Sequence, residues 1–236
     1  MMTIRDWGIR DWGRFAGLTL ALACSGAEAQ TPPSAGEAAA YEGLHAAVYR
    51  GDHEALAALI AGGADLEARD GFGRTGAHVA AYRSDERALE MLAEAGANLN
   101  AFERQRYDIV TIAAVADDPD FLARALALGA SPGNTTSPYD GTALIAAAHL
   151  GHTEVVRILI EAGAPLDHIN NIQWTAVIEA IVLGDGGPDH QATLKALLDA
   201  GADPNIPDGG GVRPLEMARA RGFREMIAIL IAAGAR

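Results

Sequence analysis

The chain of 236 residues carries 18 Lys+Arg against 31 Asp+Glu, a formal charge of −13, which argues against a nucleic-acid partner because phosphate binding needs a basic footprint. Half of its residues are hydrophobic but only 6% are aromatic, so Ala, Leu, Ile and Val must build the core, which points to closely spaced helices. The single cysteine excludes a disulfide framework and any zinc site that needs two thiolates.

At the start of the chain, Arg5, Arg10 and Arg14 precede an apolar stretch from Phe15 to Cys24, and Ala27-Glu28-Ala29 follows it. A basic start, an apolar middle and an A-x-A end describe a secretory signal peptide over residues 1–29, cut after Ala29. The alternative is a lipid anchor at Cys24, because Leu22-Ala23-Cys24 resembles part of a bacterial lipobox, although Ala21 stands where such boxes usually carry Leu. Residues 30–40, with Pro32-Pro33-Ser34, read as a flexible leader. No apolar run reaches the length of a membrane-spanning helix.

Beyond the leader a unit recurs. Gly63-Ala64, Gly96-Ala97, Gly129-Ala130, Gly163-Ala164, Gly201-Ala202 and Gly234-Ala235 are spaced by 33, 33, 34, 38 and 33 residues. Each glycine follows an apolar-periodic segment such as Ala55-Leu56-Ala57-Ala58-Leu59-Ile60, where a helix must end in a left-handed cap. A second, shorter helix lies upstream in each unit, as in Leu44-His45-Ala46-Ala47-Val48 and Leu144-Ile145-Ala146-Ala147-Ala148. Gly51, Ser84, Asp117, Gly151, Gly184 and Gly222 break the chain between the two helices. Runs such as Asp70-Gly71-Phe72-Gly73 suit a projecting turn between units. One helix pair cannot bury its apolar face, but a stack of pairs can. The expected fold is an all-α repeat solenoid of helix–turn–helix units with hairpin loops, six of them over residues 41–236: 41–69, 70–102, 103–136, 137–169, 170–207 and 208–236.

Gly141-Thr142-Ala143-Leu144 followed by Gly151-His152-Thr153-Glu154-Val155-Val156 and running to Gly163-Ala164 resembles the ankyrin repeat pattern. Gly73-Arg74-Thr75-Gly76-Ala77-His78 and Arg213-Pro214-Leu215 match its T-P-L-H signature in part. The resemblance covers Tyr41 to Arg236. It implies a curved stack with hairpins at right angles to the helices, and His45 and His78 in the slot where the family bonds a neighbouring loop. Asp108-Ile109-Val110-Thr111 departs from the signature, so the first turn of the third unit is expected to be looser. With no polar capping repeat after the sixth unit, Ile227, Leu230 or their neighbours are expected to be partly exposed.

The same resemblance implies binding of another protein through hairpin tips and first-helix ends. The residues at those positions include Tyr49, Arg50, Phe72, Arg74, Tyr82, Arg83, Arg104, Tyr107, Tyr139, His149 and Trp174. None of the positions collected in this way is acidic, and all five tyrosines of the chain are among them. Aromatics and Arg are the residue types that carry interface hot spots. The alternative is that the aromatics wedge between hairpins and stiffen the stack. Carboxylates such as Asp52, Glu90, Glu154 and Asp199 then form the outer face.

The chain offers little for catalysis or metal binding. His149 and His152 straddle Gly151 and do not share a helix face, and the spacing of 38 places five extra residues around Asp185 and Asp189 without an EF-hand pattern. Gly209-Gly210-Gly211 has no preceding strand and no following Lys. The sequence therefore predicts a non-catalytic, exported, periplasmic interaction module without metal or cofactor, monomeric, with an unnamed protein partner. The alternatives are a lipid-anchored or secreted effector or immunity factor and a metal-binding enzyme accessory.

Overall fold

A computed structural model describes residues 30–236, so the expected signal peptide and the Cys24 anchor lie outside the described residues. The described chain forms thirteen helices. After α1 (Ala35–Ala39) they pair as α2 (Gly43–Arg50) with α3 (His53–Ala61), α4 (Gly76–Arg83) with α5 (Glu86–Glu94), and α6 (Ile109–Ala116) with α7 (Pro119–Ala127). The remaining pairs are α8 (Ala143–Leu150) with α9 (Thr153–Glu161), α10 (Ala176–Val182) with α11 (Pro188–Asp199), and α12 (Pro214–Arg221) with α13 (Arg224–Ala232). First helices touch first helices and second helices touch second helices along the whole series, giving two rows.

Local chemistry sets the ends of these helices. Asp108, Thr142 and Thr175 accept from the backbone N–H three residues on and cap α6, α8 and α10. Asp52, Asp85 and Asp118 do the same for α3, α5 and α7. The expected looseness at Asp108 is not found: its carboxylate takes both N–H and Oγ1 of Thr111, at 2.8 and 2.7 Å. The glycines of the six Gly-Ala pairs all have φ between 78° and 101°, the left-handed caps read from the repeat. Between the paired helices, Gly51, Gly151 and Gly222 are left-handed, and Ser84 (φ 50°) and Asp117 (φ 54°) adopt the same conformation with a Cβ.

The fifth unit departs from the pattern. α10 closes at Leu183 in right-handed conformation, and α11 has twelve residues where the other second helices have nine. The insertion therefore lengthens α11 as well as the loop before it. A Cβ on Gly184 would lie 2.1 Å from the Ala180 carbonyl and 2.6 Å from the His190 ring, so only glycine lets the chain pass there.

Alanine lets the first helices approach each other, and Ala80, Ala113, Ala147, Ala180 and Ala218 are fully buried. Leu56, Leu89, Leu122, Val156, Leu197 and Met226 fill the space between the rows. Replacing one such Leu by Ala costs about 2–5 kcal/mol in comparable cores. The exposure expected at the end of the stack is found at Ile227, which is half-buried, and at its neighbour Ile231, the exposed large hydrophobic residue of the last helix at 53%; Leu230 is completely buried. The leader, in contrast, is not free along its length. Ser34 and Glu37 form a capping box that starts α1, and Ala38 is buried.

Candidate functional site

Five hairpins each lead into a first helix, and the row of first helices that carries them is termed the inner row, that of second helices the outer row. Four begin with a residue whose side chain accepts the backbone N–H groups two and four places on: Asp70 from Phe72 and Arg74, Glu103 from Gln105 and Tyr107, Asn170 from Ile172 and Trp174, Asp208 from Gly210 and Val212. The third hairpin is closed instead by a bridge between Thr136 and Gly141. Tips are tied to one another through the backbone, with Arg104 N–H donating to Phe72, Ser137 to Arg106 and Asn171 to Tyr139. From beneath, His45 Nε2 bonds the Arg74 carbonyl at 2.9 Å and His78 Nε2 the Tyr107 carbonyl at 3.2 Å. His78 Nδ1 accepts the Thr75 N–H, so the ring is neutral and Nε2 carries the proton. Complete burial holds its pKa down at about 4.

Most of the expected contact residues lie on the surface this framework carries. Phe72, Arg104 and Tyr139 are exposed at tips, and Arg50, Arg83 and His149 at first-helix ends. Tyr49, Tyr82, Tyr107 and Trp174 are half-buried. The Arg83 guanidinium stacks over Tyr49 at 5.2 Å and that of Arg104 over Phe72 at 5.8 Å. Arg74 must be removed from the set. It is 2% exposed, with Nε on Asp70 at 2.6 Å, Nη2 on Glu37 at 2.9 Å and Nη1 on the Thr31 carbonyl at 3.1 Å. Tyr41 donates to the same Asp70 carboxylate at 2.7 Å. This cluster fastens the N-terminal segment to the first hairpins; it is not a contact surface.

The acid-free description of the strip holds for its tips and helix ends but misses Glu179. That residue stands on the inner side of α10, 5% exposed, where α8 has Ala146 and α4 has Val79. Its Oε1 accepts from Asn170 Nδ2 at 3.1 Å, and its Oε2 lies 3.5 Å from His149 Nδ1. Burial pushes its carboxyl up to about 7 and pushes His149 down. Superimposing the six first helices by sequence alone would have exposed Glu179 as the odd residue in an otherwise apolar column.

Metal chemistry finds no donor set. Among the described residues no group of three or more His, Cys, Asp or Glu is arranged to hold an ion. His152 Nδ1 is engaged by the Ala114 carbonyl, and Asp185 accepts from Gly187 N–H and faces His190 Nδ1. No helix among the described residues is long and apolar enough to cross a membrane.

Comparison with known proteins agrees with the paired helices and tied hairpins. Residues 110–208 match the family described as ankyrin repeats (3 copies), and residues 44–105 match ankyrin repeats (many copies). The chain belongs to the ankyrin repeat family. It is 42% identical to the ankyrin repeat protein YahD of Escherichia coli (strain K12) over 103 residues, 43% of this chain and 51% of YahD. It thus spans about half the length of that relative. Among solved structures, an ankyrin repeat domain from Acinetobacter baumannii AYE is 40% identical with a TM-score of 0.78, covering 82% of this chain and 98% of that one. The ankyrin repeat domain of Bcl-3, a member of the IkappaB protein family, is 28% identical with a TM-score of 0.73, covering 84% of this chain and 88% of its own. Ankyrin repeats are generally non-catalytic protein–protein interaction modules.

Proposed function

We propose that this ankyrin repeat chain binds a partner protein along its concave side, over the hairpin tips and first-helix ends of the first five units. One observation carries this reading. Of the eight large hydrophobic side chains exposed among the described residues, five belong to that strip: Phe72, Val115, Tyr139, Leu150 and Leu183. Exposed apolar groups concentrated on one face, accompanied by aromatics and arginine, mark association surfaces. Arg50, Arg83 and Arg104 stand among them with no carboxylate partner among the described residues, placed to donate to one. The outer row is different: there Arg87 and Arg124 pair with Glu90, Arg157 with Glu154 and Lys195 with Asp199.

The test is capture from a periplasmic extract with the wild-type chain and with Phe72→Ala/Arg83→Ala/Leu150→Ala. All three side chains are exposed, so circular dichroism and melting should be unchanged while the captured protein is lost. Equal capture by both would overturn the reading.

The basic start, apolar stretch and Ala27-Glu28-Ala29 further support export to the periplasm. Mass spectrometry of the processed chain tests this: Gln30 as first residue supports it, and an acylated Cys24 replaces it with an anchored form.

A further inference from the structure

The column that faces the hairpins from the first helices reads Ala46, Val79, Ile112, Ala146, Glu179 and Met217. Five of these six residues cannot ionise. Glu179 can, and it is buried like Ala46, Val79, Ile112 and Met217. A carboxylate has room for about four hydrogen-bond donors. This one has the Asn170 amide on Oε1 at 3.1 Å, while among the described residues Oε2 meets only His149 Nδ1, at a distance of 3.5 Å.

None of the charged groups packed around it supplies the missing donor. From α8 comes His149, its side chain 47% exposed on the groove. From α11, His190 is spent on the His149 carbonyl and on Asp185. From α12, Arg221 is spent on the carbonyls of Val182 and Gly184, at the far end of α10. The hairpin contributes the neutral Asn170. Beside the opening stand Leu150 and Leu183, both exposed. An under-donated carboxylate next to an exposed ring, edged by two leucines, has the form of a seat for a cation carried on an apolar stem.

We propose that Glu179 anchors a lysine or arginine side chain of the bound protein, which enters beside His149 and lays its stem against Leu150 and Leu183. This rests on the reading of the concave strip as the binding surface and names the chemistry of its occupant. Arg50, Arg83 and Arg104 at the other end of the strip call for the opposite charge. The matching segment is therefore basic where it meets the fifth unit and acidic where it meets the first three.

Random peptides displayed on phage, selected on the full chain, provide the test. Selected peptides should carry Lys or Arg at one fixed position beside apolar residues. Each should bind Glu179→Gln roughly ten- to a hundredfold more weakly. Binding should also weaken as the pH falls through 7, where Glu179 takes up its proton. Glu179→Ala, which copies the residue present at Ala146, should show the same loss and guards against a folding artefact of the Gln variant. Peptides without a fixed basic position, or with unchanged affinity for both variants, would overturn the anchor. If those peptides still lost affinity on replacing Phe72, Arg83 and Leu150, the strip would stand without it. Peptides indifferent to all these changes, or a selection that enriches nothing, would count against strip and anchor together.

Discussion

The Arg74 guanidinium and the Asp70 carboxylate form a buried pair, Nε to Oδ2 at 2.6 Å, inside the first hairpin. Both partners are almost inaccessible, and the same guanidinium reaches Glu37 and the Thr31 carbonyl. Removing one member of a buried pair leaves the other without compensation, which costs about 3–5 kcal/mol. Arg74→Ala should therefore lower stability by that order in urea titrations. It should also release residues 31–40, read as faster amide exchange there, while the fourth to sixth units keep their protection. Unchanged exchange in that segment would show that Arg74 does not fasten it.

Ser84 occupies a left-handed position that Gly51, Gly151 and Gly222 fill in other units. An L-residue there costs about 1–2 kcal/mol, partly offset by the entropy that glycine loses on folding. Ser84→Gly should raise stability by about 0.5–1 kcal/mol. Gly184→Ala should do the reverse, because its methyl group would collide with the Ala180 carbonyl and the His190 ring. Thermal melts of the two variants test both signs.

His78 is neutral and sealed, with its folded pKa lowered from 6.5 to about 4. Below pH 6.5 the unfolded chain takes up a proton that the folded chain refuses. The contribution of His78 is thus complete above 6.5 and is lost as the pH falls toward 4, by about 3 kcal/mol in total. His78→Gln should flatten the pH dependence of stability in that window. A wild-type slope preserved in the variant would assign the acid sensitivity to other groups.

Glu179 carries the opposite sign. Its folded pKa is raised from 4.5 to about 7, so it favours the fold below 4.5 and loses that contribution as the pH rises through 7. Glu179→Gln should therefore be more stable than wild type at pH 8, by up to about 3 kcal/mol, and indistinguishable from it at pH 4. Chemical denaturation at the two pH values gives the comparison. A carboxylate retained at a cost to stability is the expected mark of a residue kept for binding.

The repeat was legible because it rests on strictly local chemistry. A helix must stop at Gly63 or Gly163 whatever surrounds it, and the spacing of such stops reveals the stack. The roles of His45 and His78 followed from the resemblance, and the hairpin carbonyls beneath which they sit are where the structure places their bonds. Long-range partners were not legible. Arg74 has the same hairpin address as Phe72, and the approach of Glu37 and Thr31 from 37 and 43 residues away, added to the local pair with Asp70, turns it inward. Glu179 was missed for a related reason: the strip was drawn through helix ends, while the inner column it belongs to becomes visible only when the six units are aligned. The insertion was located correctly at the fifth unit, but its division between loop and α11 depends on Gly184 and His190 packing together.

The central claim is that partners meet the inner row and not the outer one. A photo-crosslinking amino acid placed at Leu150, on the strip, and separately at Glu161, on an outer helix, tests it inside the producing cell. The account predicts a discrete adduct from position 150 and none from 161. An adduct from 161 alone would contradict it.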